Sequence, residues 1–322
     1  MPFVSIIIPC RNEEKFIGQC LDSIIKQDYP KEILEVLVVD GASQDKTRKI
    51  VESYKLKLLD NPQKFTPFGL NIGIKNAKGE VIIRMDAHAN YEKDYISQCV
   101  KYLREYNADN VGGVIRTLPS QDTTEAKAIA AVLSSSLGAA SLFRLGAKKP
   151  GEVDTVFGGC YKKEVFSKVG LFDERMIRSQ DIEFNKRLKK AGGKIILVPD
   201  IVSVYYPQST FKGFLKHNFS DGFWVTYPLK FGVRYFSLRH LAPLFLTLGT
   251  LGSLIFGLLS FFGRLIFVLI FGSYLLFICL TIFKISPKKR LKYFPYLMTA
   301  VFIRHFGYGS GSIIGLIKIL IP

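Results

Sequence analysis

The chain has 322 residues and a formal net charge of +17, from 44 lysine and arginine against 27 aspartate and glutamate side chains. Its length allows one large domain or two smaller ones, and its charge indicates anionic partners: nucleic acid, phosphorylated substrates or the inner face of a membrane. Nucleic acid is disfavoured, because residues 241–262 and 265–283 contain no charged side chain and each could cross a hydrocarbon core of about 30 Å. The five cysteines show no Cys-x-x-Cys spacing, so we expect reduced thiols rather than disulfides or a zinc site.

Strands and helices alternate in the N-terminal region. Residues 4–9 form a β-branched run typical of a buried parallel strand, and apolar residues at helical spacing follow from Phe16 to Ile25. A second strand is predicted at residues 35–40, and residues 41–47 open a second helix. This order predicts a parallel sheet with right-handed crossovers. The first apolar run is too short for a signal peptide, so we expect this region to stay in the cytoplasm.

Polar residues follow both predicted strands. Asn12 and Glu13 come after the first strand and Asp40 ends the second. The carboxyl ends of parallel strands share one edge of the sheet, where ligands bind in open α/β sheets. Ser43 and Asp45 also have a simpler interpretation as helix N-caps. Asp40, beside a glycine, is expected to face the ligand crevice.

Two potential metal ligands, Asp86 and His88, lie one residue apart. A short helix over residues 71–79, ended by glycine, leads into the apolar run 81–83 that precedes them. On an extended backbone alternate side chains share one face, so both side chains could point at one ion at the end of a buried strand. A solvated loop is the alternative interpretation.

A third acidic position comes later in the chain. Gly158 and Gly159 precede a predicted helix, and Asp181 follows Gln180 near the start of another. At that place a carboxylate could act only as a cap that complements the helix dipole. Residues 195–199 are predicted to form one more buried strand.

In their order and spacing these blocks resemble the family 2 glycosyltransferases of GT-A fold, most of all the succinoglycan-type exopolysaccharide enzymes. The resemblance runs from about residue 3 to about residue 225. It implies an α/β fold with a Rossmann-like, mostly parallel sheet and helices on both faces, and the apolar runs 241–262 and 265–283 add transmembrane helices at the C-terminal end. It rests on residues 8–14 (Ile-Pro-Cys-Arg-Asn-Glu-Glu), 38–45 (Val-Val-Asp-Gly-Ala-Ser-Gln-Asp), 70–73 (Leu-Asn-Ile-Gly), 84–89 (Arg-Met-Asp-Ala-His-Ala) and 180–181 (Gln-Asp).

The resemblance implies roles for individual residues. Asp86 and His88 match the metal-binding Asp-x-Asp, with Mn²⁺ or Mg²⁺ as the cofactor; the histidine favours Mn²⁺, or a contact of His88 with phosphate. Asp181 matches the catalytic base, which takes the proton of the acceptor hydroxyl while the anomeric carbon inverts. The implied acceptor-side residues are Gly158, Gly159 and Gln180. The implied donor-binding residues are Pro9, Asn12, Glu13, Asp40 (for the base or ribose), Asn71, Arg84 and Asp86.

Two departures from the family pattern affect these expectations. Gln180 stands where many relatives have glutamate, so it cannot raise the pKa of Asp181 by like-charge repulsion. The Gln-x-x-Arg-Trp motif of processive polymer synthases is absent after Asp181. Its absence favours the addition of one or a few sugars over long-chain polymerisation.

The C-terminal part is predicted to meet a membrane. Residues 1–205 would form the catalytic domain and residues 206–240 an interfacial segment of interleaved aromatic and basic residues, with an amphipathic helix packed on the catalytic domain as the alternative. In the membrane region 241–322, the spans 241–262 and 265–283 would form a hairpin joined by Gly263 and Arg264, and buried core helices are the alternative. A third segment, 294–320, could span, lie in the interface or pack on the hairpin. The loop from Lys284 to Lys292 contains the basic run Lys288-Lys289-Arg290, which predicts that this loop and the catalytic domain lie on the cytoplasmic face of a multi-pass cell-membrane protein.

The expected function is transfer of a sugar from a UDP- or GDP-sugar to a lipid-linked or polysaccharide acceptor. The small-residue stretch 124–145 could border the acceptor path. A nucleotidyltransferase is an alternative, although residues 9–14 lack a glycine-rich basic phosphate loop. The non-enzymatic alternative is a membrane adaptor or inactive paralogue, which should have lost acidic groups that this chain retains at Asp40, Asp86 and Asp181.

Overall fold

The computed structural model describes residues 1–138, 141–285 and 290–321. The chain forms two compact units. The sheet unit comprises Met1–Arg116 and Ser141–Tyr205, and the helical unit comprises Thr117–Ala140 and Tyr206–Pro322. The segment 117–140, expected within the catalytic domain, therefore belongs to the helical unit.

A nine-stranded mixed sheet forms the centre of the sheet unit, with strand order β3-β2-β1-β4-β8-β6-β9-β5 and β7 paired with β9. The strands β3, β2, β1 and β4 are parallel, whereas β8 runs antiparallel to β4 and β6, and β9 antiparallel to β5 and β7. The α/β fold is confirmed, with β1 to β4 parallel and the sheet as a whole mixed. The strands are β1 Val4–Cys10, β2 Leu34–Asp40, β3 Lys57–Asp60, β4 Val81–Arg84, β5 Ala89–Tyr91, β6 Asn110–Thr117, β7 Gly151–Glu152, β8 Cys160–Lys162 and β9 Ile195–Tyr205.

Helices cover both faces of this sheet. Alternate residues of β1 point to opposite faces, so Ile6 and Ile8 join one buried cluster and Ile7 joins another. The first cluster also contains apolar residues of α1, α2 and α4, and the second contains those of α3, α7 and α8. The helices of the sheet unit are α1 Ile17–Ile25, α2 Thr47–Ser53, α3 Thr66–Asn76, α4 Tyr95–Glu105, α6 Leu142–Leu145, α7 Glu164–Val169 and α8 Gln180–Lys190.

Several element boundaries differ from the sequence expectations. Strand β1 includes Pro9 and continues to Cys10, and β9 runs beyond Pro199 to Tyr205. Helix α3 ends at Asn76 rather than at Gly79. A Cβ atom at Gly79 would lie 2.6 Å from the backbone nitrogen of Ser5, so this glycine permits a close backbone approach instead of ending the helix.

The helical unit packs around one apolar cluster of its own. Its helices are α5 Thr124–Leu133, α9 Phe211–Thr226, α10 Leu238–Leu259, α11 Phe261–Ile285, α12 Arg290–Phe302 and α13 Tyr308–Leu320. Two of them, α10 and α11, are long and apolar enough to cross a membrane. The break between these two helices lies at Ser260, and the expected turn at Gly263 and Arg264 lies inside α11. Ser260 is extended, and its Oγ accepts a hydrogen bond from the Gly263 N–H at 3.0 Å, which caps α11.

The last helix packs against α9 and α10 through its glycines. A Cβ atom at Gly311 would lie 2.0 Å from the Phe219 carbonyl oxygen, and one at Gly309 would lie 2.0 Å from Thr247 Oγ1. The helix α13 packs on α10, and the relation of residues 294–320 to a membrane stays a prediction. The basic residues Lys288 and Lys289, used above to assign the cytoplasmic side, lie outside the described residues.

Candidate active site

The loops after β1 and β2 are joined by hydrogen bonds. The Asn12 N–H donates to Ser43 Oγ at 2.9 Å, and Asn12 Oδ1 accepts from the Gln44 N–H at 2.8 Å. The Glu13 N–H donates to Thr47 Oγ1 at 2.8 Å. Because the last of these bonds uses only the backbone N–H of Glu13, the Glu13 carboxylate is available to reach across the sheet edge.

Asp40 lies at this edge but inside the protein. Its side chain has 0% exposure, and it accepts hydrogen bonds from the N–H and hydroxyl of Ser43 and from Arg48 Nη1 at 3.0 Å. Arg48 also contacts Asp60 at the end of β3, 2.7 Å away. The carboxylate of Asp40 therefore holds the 41–47 turn.

Two more of the donor-binding candidates make contacts that stabilise the fold. Asn71 is buried, and its amide donates to the Phe172 carbonyl at 2.9 Å and to Glu174 Oε1 at 3.0 Å. Its Oδ1 accepts from the Phe172 N–H at 3.0 Å. Pro9 is half-buried within β1 and lies beneath Gly69 of α3. Asn71 thus fastens the 172–174 segment to α3.

Asp86 follows β4 at the start of a turn. The Ala89 N–H donates to the Asp86 carbonyl at 3.2 Å, so the chain bends between Asp86 and His88 and the extended backbone expected there is absent. The alternation of a strand instead brings Arg84 and Asp86 to one side. Arg84 Nη2 lies 3.0 Å and Nε 3.3 Å from Asp86 Oδ1. Burial raises the pKa of Asp86, but the charges of Arg84 and His88 outweigh it and hold that pKa below its ordinary value.

The same arginine reaches the third acidic position. Asp181 lies in the first turn of α8, and its Oδ2 is 3.6 Å from Arg84 Nη1. The Asp181 side chain is 29% exposed, which leaves its carboxylate accessible to a substrate. Gln180 beside it is buried and follows Ser179, whose left-handed φ of 58° sets the start of the helix. The structure therefore brings Asp86 and Asp181 together on one guanidinium.

His88 pairs with the loop after β1. Its Nδ1 lies 3.2 Å from Glu13 Oε1. Burial lowers the pKa of His88, but the hydrogen bond and charge of Glu13, together with the charge of Asp86, outweigh it and raise that pKa. Glu13 and His88, 75 residues apart in sequence, thus meet beside Asp86.

The two glycines assigned to the acceptor side border Arg84. The Arg84 N–H donates to the Gly159 carbonyl at 3.0 Å, and a Cβ atom at Gly158 would lie 2.9 Å from the Arg84 carbonyl oxygen. Both glycines have positive φ, 69° and 103°, which side chains at these positions would strain. The close approach of this segment to β4 requires glycine.

Sequence reasoning missed several side chains around this site. Tyr91 accepts a hydrogen bond from the Asp86 N–H at 2.7 Å and so supports the turn. The Tyr205 ring lies 5.5 Å from the His88 ring, edge to face, and the Arg144 guanidinium lies 4.9 Å above the Tyr205 ring. The alternating pattern of residues 201–205 is typical of a strand, and it extends β9 past the expected end at Pro199 to Tyr205.

The metal expected here would have few protein ligands. No group of three or more His, Cys, Asp or Glu side chains able to hold a metal ion occurs within residues 1–138, 141–285 and 290–321. Arg84 takes Oδ1 of Asp86 and Glu13 takes Nδ1 of His88, which leaves Oδ2 and Nε2 as candidate donors. One carboxylate oxygen and one imidazole nitrogen suit Mn²⁺, provided that substrate oxygens and water supply the remaining ligands. The residues therefore fit a cation that is bound together with a substrate.

Comparisons with known proteins identify the family and the fold. Residues 5–170 match the family model described as Glycosyl transferase family 2. A relative from Methanococcus voltae is 32% identical over 99% of this chain and 98% of its own length. It is described as dolichyl N-acetyl-alpha-D-glucosaminyl phosphate 3-beta-D-2,3-diacetamido-2,3-dideoxy-beta-D-glucuronosyltransferase. The succinoglycan biosynthesis protein ExoA of Rhizobium meliloti (strain 1021) is 30% identical, covering 70% of this chain and 74% of the relative.

Among solved structures, the mannosyltransferase PcManGT from Pyrobaculum calidifontis shares the fold. The two chains superpose with a TM-score of 0.63 at 21% identity, over 97% of this chain and 87% of that one. The GT-A fold expected from the resemblance is thereby confirmed. Since the family model covers half of the chain and the Methanococcus relative aligns almost from end to end, the protein belongs to the family 2 glycosyltransferases.

Proposed function

We propose that the protein is a membrane-bound, metal-dependent, inverting glycosyltransferase that moves a sugar from a UDP- or GDP-sugar to a lipid-linked or polysaccharide acceptor. The observation that carries this proposal is the placement of Asp86 and Asp181 on the single guanidinium of Arg84, at 3.0 and 3.6 Å. One carboxylate follows a strand at the sheet edge and the other begins α8, so donor and acceptor can approach from different elements.

Asp181 is the proposed catalytic base. Its partly exposed carboxylate can accept the proton of an acceptor hydroxyl, and Arg84 Nη1 lies 3.6 Å from its Oδ2. The hydroxyl oxygen then bonds to the anomeric carbon while the bond from that carbon to the diphosphate oxygen breaks. A single displacement of this kind inverts the anomeric carbon.

Asp86 and His88 are the proposed metal ligands, and Glu13 holds His88 in place through Nδ1. A divalent cation bound there would neutralise the charge that develops on the leaving nucleoside diphosphate. Asn12 borders the donor side from the loop after β1. Asp40 and Asn71 act indirectly, because their side chains are used to position the 41–47 turn and the 172–174 segment.

The proposed donor and acceptor classes are supported by the names of similar proteins. PcManGT is described in complex with GDP-Man and Mn²⁺, and the Staphylococcus aureus enzyme TarS in complex with UDP-GlcNAc. The Methanococcus relative is named for a dolichyl-linked sugar phosphate acceptor. These names support a nucleotide-sugar donor and a lipid-linked acceptor for this chain.

The membrane assignment rests on the helical unit. The helices α10 and α11 expose large apolar side chains along their length, including Leu258 and Leu259 at 80% and 81% exposure. Lys230 and Arg234 precede α10 and Arg239 lies in its first turn, where an anionic leaflet would attract them. We propose that this hairpin enters the cell membrane from its cytoplasmic face, with the sheet unit in the cytoplasm.

The deciding experiment is transfer by the detergent-solubilised full chain from a panel of UDP- and GDP-sugars to lipid-phosphate sugar acceptors. We expect one donor to give product, activity to disappear in EDTA and return with Mn²⁺, and the new glycosidic bond to have the opposite anomeric configuration to the donor by NMR. Retained configuration would rule out Asp181 as the base of a single displacement. Full activity in EDTA would remove the metal from the proposal.

A further inference from the structure

Arg84, the last residue of β4, makes contacts that a donor-binding arginine would not need. The residue is 9% exposed, and its Nε and Nη2 both approach Asp86 Oδ1, at 3.3 and 3.0 Å. Its Nη1 makes no hydrogen bond and lies 3.6 Å from Asp181 Oδ2. All three nitrogens are therefore directed at, or near, the two acidic residues rather than at solvent.

The backbone of Arg84 is held from both sides. It is paired with Ile7 of the parallel strand β1, and its N–H donates to the Gly159 carbonyl on the other side at 3.0 Å. Gly158 packs against the carbonyl oxygen of Arg84, and a Cβ atom at Gly158 would lie only 2.9 Å from that oxygen. The guanidinium is thus anchored to the rigid centre of the sheet, while Asp86 lies on a turn and Asp181 on a helix start.

A guanidinium is suited to this arrangement because it is planar, stays charged and presents donors in a fixed fork. A lysine in its place would keep the charge, but its donors radiate from a single nitrogen and could not reproduce a planar fork that presents separate nitrogens to the two carboxylates. A buried charge also needs compensation, and the two carboxylates supply it.

We propose that Arg84 is a positioning residue of the transfer reaction, which orients the metal-side carboxylate of Asp86 and the base Asp181 relative to each other and does not contact the donor. This inference rests on the proposed function. It replaces the donor-binding role that the family resemblance implied for Arg84. The reaction then depends on one guanidinium for the relative placement of its two acidic groups.

The chain offers a matched control in Arg187. This arginine of α8 is also partly buried and bonded to a carboxylate, with Nε 2.6 Å from Glu183 Oε1 and Nη2 2.8 Å from Oε2. It also donates to the carbonyls of Val169 and Leu171. Arg187→Lys therefore reports the general effect of losing an arginine fork in the sheet unit.

The test compares wild type, Arg84→Lys and Arg187→Lys in the full chain. For Arg84→Lys we expect kcat to fall about 100-fold at saturating Mn²⁺, with the donor KM changed by less than about threefold. We also expect the Mn²⁺ concentration that half-saturates thermal stabilisation by the nucleoside diphosphate, measured without acceptor, to rise about tenfold. Arg187→Lys should leave these three quantities within about threefold, even where both variants lower Tm.

Two outcomes would overturn the inference. If Arg84→Lys raises the donor KM at saturating Mn²⁺ and keeps kcat, Arg84 binds the donor. If Arg84→Lys matches Arg187→Lys in every quantity, its role is structural only. Should Arg84→Lys fail to fold, Asp181→Asn provides the test. Loss of the second carboxylate gives Arg84 wholly to Asp86 and should raise the Mn²⁺ concentration required for thermal stabilisation by the nucleoside diphosphate. An unchanged requirement would count against the inference.

Failure of the proposed function gives a different pattern. Wild-type protein that transfers no sugar from any donor, or Asp181→Asn with near-full turnover, would refute the proposed function. The Mn²⁺ requirement for thermal stabilisation needs no turnover, so it reports on Arg84 in either case.

Discussion

Asp40 and Asp86 both come at the ends of buried parallel strands, yet the structure gives them opposite surroundings. Asp40 is fully buried and receives donors from Ser43 and Arg48. Asp86 is 16% exposed and shares its arginine with a second carboxylate. The hydrogen bonds of a strand-end carboxylate can therefore be satisfied by the loop that follows it, or the carboxylate can stay accessible to a substrate. The hydrogen-bond donors that neighbouring segments supply determine which of the two occurs.

The largest effect on turnover should come from replacing Asp181, the carboxylate that shares Arg84 with Asp86. We expect Asp181→Asn to lower kcat by about 100- to 10,000-fold, because an amide cannot take the acceptor proton. Stabilisation by nucleoside diphosphate at saturating Mn²⁺ should persist, although the Mn²⁺ concentration required for it rises, and thermal shift measurements would show both. Asp173→Asn, which breaks an ion pair with Arg175 just before α8, is the control and should keep its turnover.

At the metal-side carboxylate, Asp86→Ala should weaken Mn²⁺-dependent stabilisation by nucleoside diphosphate by more than about tenfold. The reason is the loss of the only carboxylate among the two proposed ligands. Titration of Mn²⁺ at a fixed concentration of nucleoside diphosphate, followed by Tm, measures this weakening. Asp60→Ala removes another strand-end carboxylate, one that is mostly exposed, and should leave the titration unchanged.

For Asp40 the comparison predicts an effect on stability instead of catalysis. Asp40→Asn should lower the free energy of unfolding by about 1–3 kcal/mol, because Ser43 and Arg48 lose a buried charged acceptor. Turnover per folded molecule should stay near that of wild type. Asp60→Asn, which alters the exposed partner of the same arginine, should change stability by less than about 0.5 kcal/mol. A strong fall in donor affinity for Asp40→Asn would show that Asp40 touches the donor after all.

The smallest effect concerns the loop that Asp40 holds. Burial raises the pKa of Asp45, but hydrogen bonds from Thr47 and from the Glu14 N–H outweigh it and lower that pKa. A depressed pKa adds stability above the unfolded value of about 3.9, and this stability disappears as the pH falls through the lower folded value. The Tm difference between wild type and Asp45→Asn should thus be larger at pH 7 than at about pH 3. An equal difference at both values would remove the contribution of ionisation.

Much of the site could be predicted because the relevant residues follow recognisable elements. Glu13, Asp86 and Asp181 each come directly after or at the start of a periodic segment, and the structure brings them to one region. The role of Asn71 could not be predicted, since its partners lie about 100 residues away, at Phe172 and Glu174. Hydrogen bonds at such separations leave no trace in local periodicity.

The sequence by itself determined the fold class, the family and the acidic residues, because hydrophobic periodicity and the spacing of polar blocks are local properties of the chain. Only the tertiary structure decided which carboxylates remain exposed. It also decided that the sheet is mixed, with β8 antiparallel to β4 and β6 and β9 antiparallel to β5 and β7. Finally, it decided that Arg84 joins Asp86 to Asp181. These features depend on contacts between distant segments, where burial and the supply of hydrogen-bond donors are settled by packing.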